Sequence, residues 1–235
     1  MNIAIIPARG GSKRIPKKNI KFFLGKPMIS YSIKIAIESK LFDKVIVSTD
    51  DDDIKLVAES FGAEVPFIRP KKLSDDYTGT IAVTKHAIEW CLDSGYEVEY
   101  VCCIYPTAPL LQIKYLKQGF KSIRDMNKSF AFSITSYAYP IQRALMIQNG
   151  NIKMFYPENY QMRSQDLTEG YHDAGQFYWG TVSAFVEDRN IFSHESIPVI
   201  LPRYLVQDID TLEDWEKAEL MYKTIQMVWF FLFLN

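Results

Sequence analysis

Arg9-Gly10-Gly11-Ser12-Lys13 follows directly on the apolar run from Asn2 to Ile6, and it sets a forked cation, two glycines and a mobile point charge side by side. Glycine lets backbone approach an anion and turn its N–H groups inward. An arginine grips phosphate oxygens as a fork, and a lysine follows them as a point charge. Such a loop can hold a triphosphate and neutralise charge building on a departing pyrophosphate. The stretch matches neither G-x-x-x-x-G-K-[ST] nor G-x-G-x-x-G, so the two commonest phosphate-binding motifs are excluded. The basic bias is local, since Arg9, Lys13, Arg14, Lys17, Lys18, Lys21, Lys26 and Lys34 all precede the first acid, Glu38. The competing reading is a solvated turn, and Lys17, Lys18 and Lys21 read as plain surface charge.

The second constellation is Gln207-Asp208-Ile209-Asp210-Thr211. In an extended segment residues two apart point the same way, so Asp208 and Asp210 present two carboxylates to one side. That pair suits Mg²⁺, which takes one or two carboxylates together with substrate phosphate oxygens. Asp210 or Thr211 is equally a natural N-cap for a helix beginning near Leu212, and spacing alone leaves both readings open. A bound triphosphate at the basic loop would call for the divalent ion.

Other polar stretches are less specific. Arg69, after a predicted strand, could reach a phosphate, a base or a surface acid. Ser74, Asp75, Asp76 and Thr78 are read as capping or opening the next helix. Tyr105-Pro106-Thr107-Ala108-Pro109 is a rigid turn able to shape a base pocket. The run from Asp50 to Asp53 is read as serving a helix dipole rather than a metal. His86 and His194 lack partners for a catalytic dyad, and no G-x-S-x-G or Cys/His arrangement supports covalent catalysis.

These groups must be positioned by a larger frame. With 235 residues, 48% of them apolar, the chain can bury one large core. A net charge of −1 gives no global bias toward nucleic acid or membrane. Three cysteines without C-x-x-C spacing predict buried thiols in a reducing compartment, and no signal peptide is read at the start. Apolar runs at residues 2–6, 44–48, 64–68 and 100–104 predict strands. Helical spacing predicts helices over 28–39, 52–61, 80–92 and 113–126. Their alternation predicts a parallel sheet with helices on both faces, whose ligands lie beyond the carboxyl ends of the strands. From about Ser129 to Tyr171 the rhythm changes to hairpin and excursion, with Asn149-Gly150 as the turn. A strand at 175–185, another at 197–201 and a helix bearing Leu212, Trp215, Ala218 and Tyr222 on one face close the chain. Residues 227–235 form an atypical apolar tail, too short to span a membrane.

The ordered set IPARGGSKRIPKKNI, GKPMISYSI, VIVSTDD, RP, YPTAPL and DIDTLEDW resembles the sugar-acid cytidylyltransferases that make CMP-sialic acids. YPTAPL, YPIQRAL and DAGQFYWG are most similar to its members acting on pseudaminic acid. The resemblance runs to about Ile225. It implies a Rossmann-like, mixed but mostly parallel sheet of about seven strands in one domain over 1–226, with a protruding dimerisation and sugar-site element at about 137–172. It also implies a cytoplasmic homodimer that joins CTP to an acidic nine-carbon α-keto sugar, with Mg²⁺ at Asp208 and Asp210. It places Arg9, Gly10, Gly11, Ser12, Lys13, Asn19, Arg69, Pro106 and Thr107 on the nucleotide. Tyr105, Gln142, Arg143, Arg163, His172 and Gln176 fall on the sugar side. Tyr105 stands where sialic-acid enzymes commonly carry Gln, and His172-Asp173 where they carry Arg-Pro, departures that speak against N-acetylneuraminic acid and agree with the pseudaminic type; N-acetylneuraminic and legionaminic acids are the alternatives. A CTP-binding protein without chemistry is the rival of another class.

Overall fold

A computed structural model describes residues 1–233 of the chain, with side chains through residue 227. The last two residues of the apolar tail, and the side chains from 228 on, lie outside it. The elements are, in chain order, β1 (Asn2–Pro7), β2 (Phe22–Phe23), β3 (Lys26–Pro27), α1 (Met28–Ser39), β4 (Lys44–Ser48), α2 (Asp52–Ser60), α3 (Thr80–Asp93), β5 (Tyr100–Ile104) and α4 (Ile113–Asp125). There follow β6 (Phe130–Ser136), β7 (Leu145–Gln148), β8 (Asn151–Met154), β9 (Tyr171–Thr181), α5 (Val182–Val186), β10 (Ser196–Ile200) and α6 (Leu212–Phe233).

Six strands form the central sheet in the order β10-β6-β9-β5-β1-β4. β9 alone runs antiparallel to its neighbours; the other contacts are parallel. Period-2 alternation divides each strand between two layers. Ala4, Ile6, Val47, Cys102 and Trp179 pack under α1, α2 and α4. Ile3, Ile5, Ile46, Val101, Cys103 and Tyr178 pack under α3 and α5. All three cysteines are free and buried.

The expected α/β architecture is present with two changes. Residues 64–68 do not form a full strand, which reduces the sheet from about seven strands to six. Glu64 bridges Ile46 and Ile68 bridges Thr49, but Pro66 between them has no N–H to give the ladder. Phe130–Ser136, expected to start the excursion, is instead a central strand between β10 and β9. The excursion proper starts beyond it and carries the β7–β8 hairpin, whose turn places Asn149 at φ 52° and Gly150 at φ 76°. The predicted strand at 175–185 also stops early, at Thr181, whose side chain caps α5.

A third core cluster matters most for function. Ile15, Phe23, Met28, Ile209, Trp215 and Ala218 pack together, with Tyr31 and Tyr222 against them. It nails the basic loop after β1 to the segment before α6. Leu212 is left out of that contact and is exposed, contrary to the predicted helix face.

Candidate active site

Ile209 is fully buried between Asp208 and Asp210. Alternation along the extended segment therefore turns both carboxylates away from the core and toward the basic loop. They meet Arg9, Ser12, Arg14, Lys18, Asn19, Arg69, Pro106 and Thr107 around one cleft of about 350 Å³ beyond the carboxyl ends of β1 and β5. The sequence left Asp210 open between ligand and helix cap, and the structure separates the two roles. Thr211 accepts from the Asp214 N–H at 3.2 Å while Asp214 accepts from the Thr211 N–H at 2.8 Å. This reciprocal box caps α6 and leaves the Asp210 carboxylate to Arg14 at 3.0 Å and Lys18 at 3.4 Å.

Lys18 is accordingly not plain surface charge. Its Nζ donates to the Ile209 carbonyl at 2.6 Å, and its side chain is only 20% exposed. The signal available in sequence was Ile15 and Ile20 inside an otherwise basic loop, apolar anchors that a freely solvated turn would not need. Lys17 and Lys21 do stay outside the cleft, one on Asp53 at 2.5 Å and the other over the Trp215 ring.

The basic loop is shaped from below by buried Asn19, whose side chain donates to the Arg9 carbonyl at 2.9 Å. Gly10 is required by crowding, since an added Cβ would lie 2.8 Å from Asp51 Cβ. Its N–H donates to Asp50 at 3.1 Å, so this amide serves the protein rather than standing free for a phosphate. Asp50 also takes the Arg69 guanidinium at 3.5 Å. Only Asp51 to Asp53 behave as the predicted helix start, Asp51 accepting from Ile54 N. Arg69 is buried, which lowers its pKa, with Asp50 opposing that shift.

The Asp75-Asp76 turn was expected to cap α3, but Gly79 occupies the cap and gives no side-chain bond. Instead Arg9 bonds the Asp75 carbonyl at 2.5 Å and Asp76 at 2.8 Å, and Lys13 reaches Asp76 at 2.5 Å. Asp76 thus stands as an anion on the two cations assigned to phosphate. Burial raises the Asp208 carboxyl above its ordinary value, and the charge of Asp210 adds to the rise. A divalent cation would relieve Asp208, and the two carboxylates are the hard oxygen donors that would hold one. Among the described residues no group of three or more His, Cys, Asp or Glu could hold a metal alone, so remaining ligands would come from substrate.

The sugar-side residues are scattered. Tyr105 lines the cleft and also a second cavity behind it. Gln142 and Arg143 bond carbonyls of the excursion itself, Thr168 at 2.8 Å and Met162 at 2.5 Å, and Arg163 pairs with Asp166 at 2.7 Å. His172 packs on Tyr137 and bonds the Asp173 carbonyl at 2.8 Å. Gln176 is buried and donates to the Leu205 carbonyl at 2.5 Å, which couples β9 to the segment carrying the two aspartates. None of these five lines the cleft or the second cavity within this single chain.

A family model described as Cytidylyltransferase matches residues 3–220. A pseudaminic acid cytidylyltransferase of Campylobacter jejuni is 50% identical over 94% of this chain and 96% of that protein. A two-function Helicobacter pylori protein, named pseudaminic acid cytidylyltransferase and UDP-2,4-diacetamido-2,4,6-trideoxy-beta-L-altropyranose hydrolase, is 39% identical over 88% of this chain and 40% of its own length. The fold is shared with a CMP:2-keto-3-deoxy-manno-octonic acid synthetase solved with CTP, at a TM-score of 0.68 and 16% identity over 95% of this chain and 98% of that one. The chain is a member of the cytidylyltransferase family.

Proposed function

We propose that this protein joins CTP to an acidic nine-carbon α-keto sugar, pseudaminic acid, and releases pyrophosphate. The observation that carries the reading is the meeting, across one cleft, of Arg9, Lys18 and Arg69 with Asp208 and Asp210. Half-identity to the C. jejuni enzyme over nearly the full length supports the sugar.

The anomeric hydroxyl attacks the α-phosphorus in line; its oxygen bonds to phosphorus and its proton passes to water as the bond to the β-phosphate bridge breaks, the bonding pair leaving on pyrophosphate. Arg9 and Lys13 exchange Asp76 for the β- and γ-phosphates and steady the leaving group. Asn19 keeps the loop's shape, Arg69 supplies a fixed buried charge, and Pro106 and Thr107 wall the base. Lys18 holds the Asp208–Asp210 segment by its carbonyl. Those two carboxylates would hold Mg²⁺, which when bound draws charge from phosphate oxygens and lowers the barrier to displacement.

The excursion exposes Tyr139, Leu145, Ile147, Ile152 and Tyr160, an apolar surface that a second copy would cover; the working unit is then a homodimer. Among the described residues no helix is long and apolar enough to cross a membrane. A CTP substrate and free thiols fit the cytoplasm.

The test is pyrophosphate release from CTP with Mg²⁺ and a panel of pseudaminic, legionaminic and N-acetylneuraminic acids. Pseudaminic acid should be the best acceptor, and Asp210→Asn should lose nearly all turnover. Binding of CTP without transfer to any acid would favour the non-catalytic rival, and full activity of Asp210→Asn at saturating Mg²⁺ would remove the metal role.

A further inference from the structure

The two cations of the basic loop already carry an anion of the protein's own, supplied by the turn that leads into α3. Asp76 spans them both, with Oδ1 on Arg9 at 2.8 Å and Oδ2 on Lys13 at 2.5 Å. One oxygen to each cation is how a phosphoryl group would meet the same pair. Lys13, and after it Arg9, holds this carboxyl below its ordinary pKa, so it is charged at neutral pH. Among the described residues no other carboxylate pairs with either cation. Asp50 and Asp210 lie close by, but they are engaged with Gly10 N–H and Arg69 in one case and with Arg14 and Lys18 in the other.

The turn does not need Asp76 for its shape. Arg69 is buried and its Nε donates to Ser74 Oγ at 3.2 Å, and that hydroxyl donates to the Pro70 carbonyl at 3.2 Å. Asp75 Oδ1 accepts from the N–H groups of Tyr77 and Thr78 at 3.0 and 2.7 Å, and from Thr78 Oγ1 at 2.8 Å. Ser74 and Asp75 therefore brace the turn from within, and among the described residues the Asp76 carboxylate bonds only Arg9 and Lys13. With side chains 35% and 80% exposed, Asp76 and Lys13 meet near water, where ion pairs are weak enough to exchange with a solute anion.

Such an internal anion bears unequally on substrate and product. CTP is also held through its base, beside Pro106 and Thr107. Pyrophosphate, once cut from the nucleotide, has lost that hold and depends on the cations Asp76 competes for. We propose that Asp76 drives the leaving group out, as a positioning residue that takes back Arg9 and Lys13 after transfer and so keeps pyrophosphate weakly bound. This rests on the cytidylyl-transfer reading above. It predicts a sign opposite to that of a residue that arranges the cations for phosphate: removing the charge should tighten the ligand.

The test is calorimetric binding of inorganic pyrophosphate, CTP and CMP to wild type, Asp76→Asn and Asp76→Ala at one ionic strength, with pyrophosphate inhibition of turnover measured alongside. Melting temperature reports whether each variant is folded, and either neutral variant alone suffices. Both should bind pyrophosphate about three- to tenfold more tightly than wild type, and turnover should be inhibited at correspondingly lower pyrophosphate. CMP lacks the β- and γ-phosphates and should bind all three proteins within about twofold. Equal or weaker pyrophosphate binding by a folded neutral variant overturns the proposal and leaves cytidylyl transfer standing. So does a gain in CMP affinity as large as that for pyrophosphate, which would mark a general change of charge. Failure of wild type to bind either CTP or pyrophosphate brings down the reading beneath, and the proposal with it.

Discussion

Replacing Lys18 by Met separates a structural anchor from surface charge. At 3.4 Å from Asp210, a unit charge is worth roughly 1 kcal/mol in a water-like dielectric and about 5 kcal/mol at an effective dielectric of 20. Because the side chain is 20% exposed, the real value lies between these limits and is further reduced by the solvation Lys18 gives up. The bond to the Ile209 carbonyl at 2.6 Å is charge-assisted, of a kind worth about 1.5–3 kcal/mol. Losing about that much transition-state stabilisation lowers kcat/KM roughly ten- to hundred-fold. The sign of two further effects is fixed by charge. Removing a cation beside Asp208 and Asp210 weakens CTP but tightens a divalent ion. The CTP KM should therefore rise while half-maximal activity is reached at lower free Mg²⁺. Continuous pyrophosphate release, with CTP and Mg²⁺ varied independently, reads all three quantities. A Lys18→Met enzyme within about twofold of wild type in kcat/KM, or one needing more Mg²⁺, would show that Lys18 neither anchors nor screens the pair.

Gly180→Ala should destabilise the fold by about 1–3 kcal/mol, because the new Cβ would stand 2.5 Å from Phe185 and 2.8 Å from Phe130; an unchanged midpoint in urea denaturation would contradict the packing. Thr211→Val should cost about 1 kcal/mol through the α6 cap. Thr211 holds the Asp214 carboxyl below its ordinary 3.8. The stability gap from wild type should therefore be full above that value and shrink as pH falls through the lower folded one, as thermal melts across acid pH can show. Ile147→Glu with Ile152→Glu alters a cross-strand pair that is 81% and 71% exposed. If a second copy covers that face, sedimentation will show a monomer where the wild type is a dimer; a wild-type monomer would remove the proposed interface.

What could be read in advance follows from where the physics is local. β1, β4, β5 and the helices between them declare themselves by periodicity, and the Asn149-Gly150 turn by its backbone demand. Pro66 was visible, yet its effect on an edge strand depends on pairing partners that sequence does not display. β6 was misplaced for a related reason, since its neighbours β9 and β10 come much later in the chain. In the site, Arg9 was legible from its type and its place after β1, whereas spacing alone left Asp208 and Asp210 open between a metal pair and a helix cap. Asp76 and Lys18 were not legible, because their roles are set by partners far along the chain, on Arg9 and Lys13 in one case and on Ile209 in the other.

The reversed strand has an evolutionary consequence. Because β9 returns beside β6, the two ends of the excursion are stitched together, Ser136 opposite Tyr171 and the Tyr137 N–H on the Gly170 carbonyl at 3.0 Å. Everything between is a closed appendage whose base is already zipped. Its length and composition can drift without disturbing the body that carries the cleft.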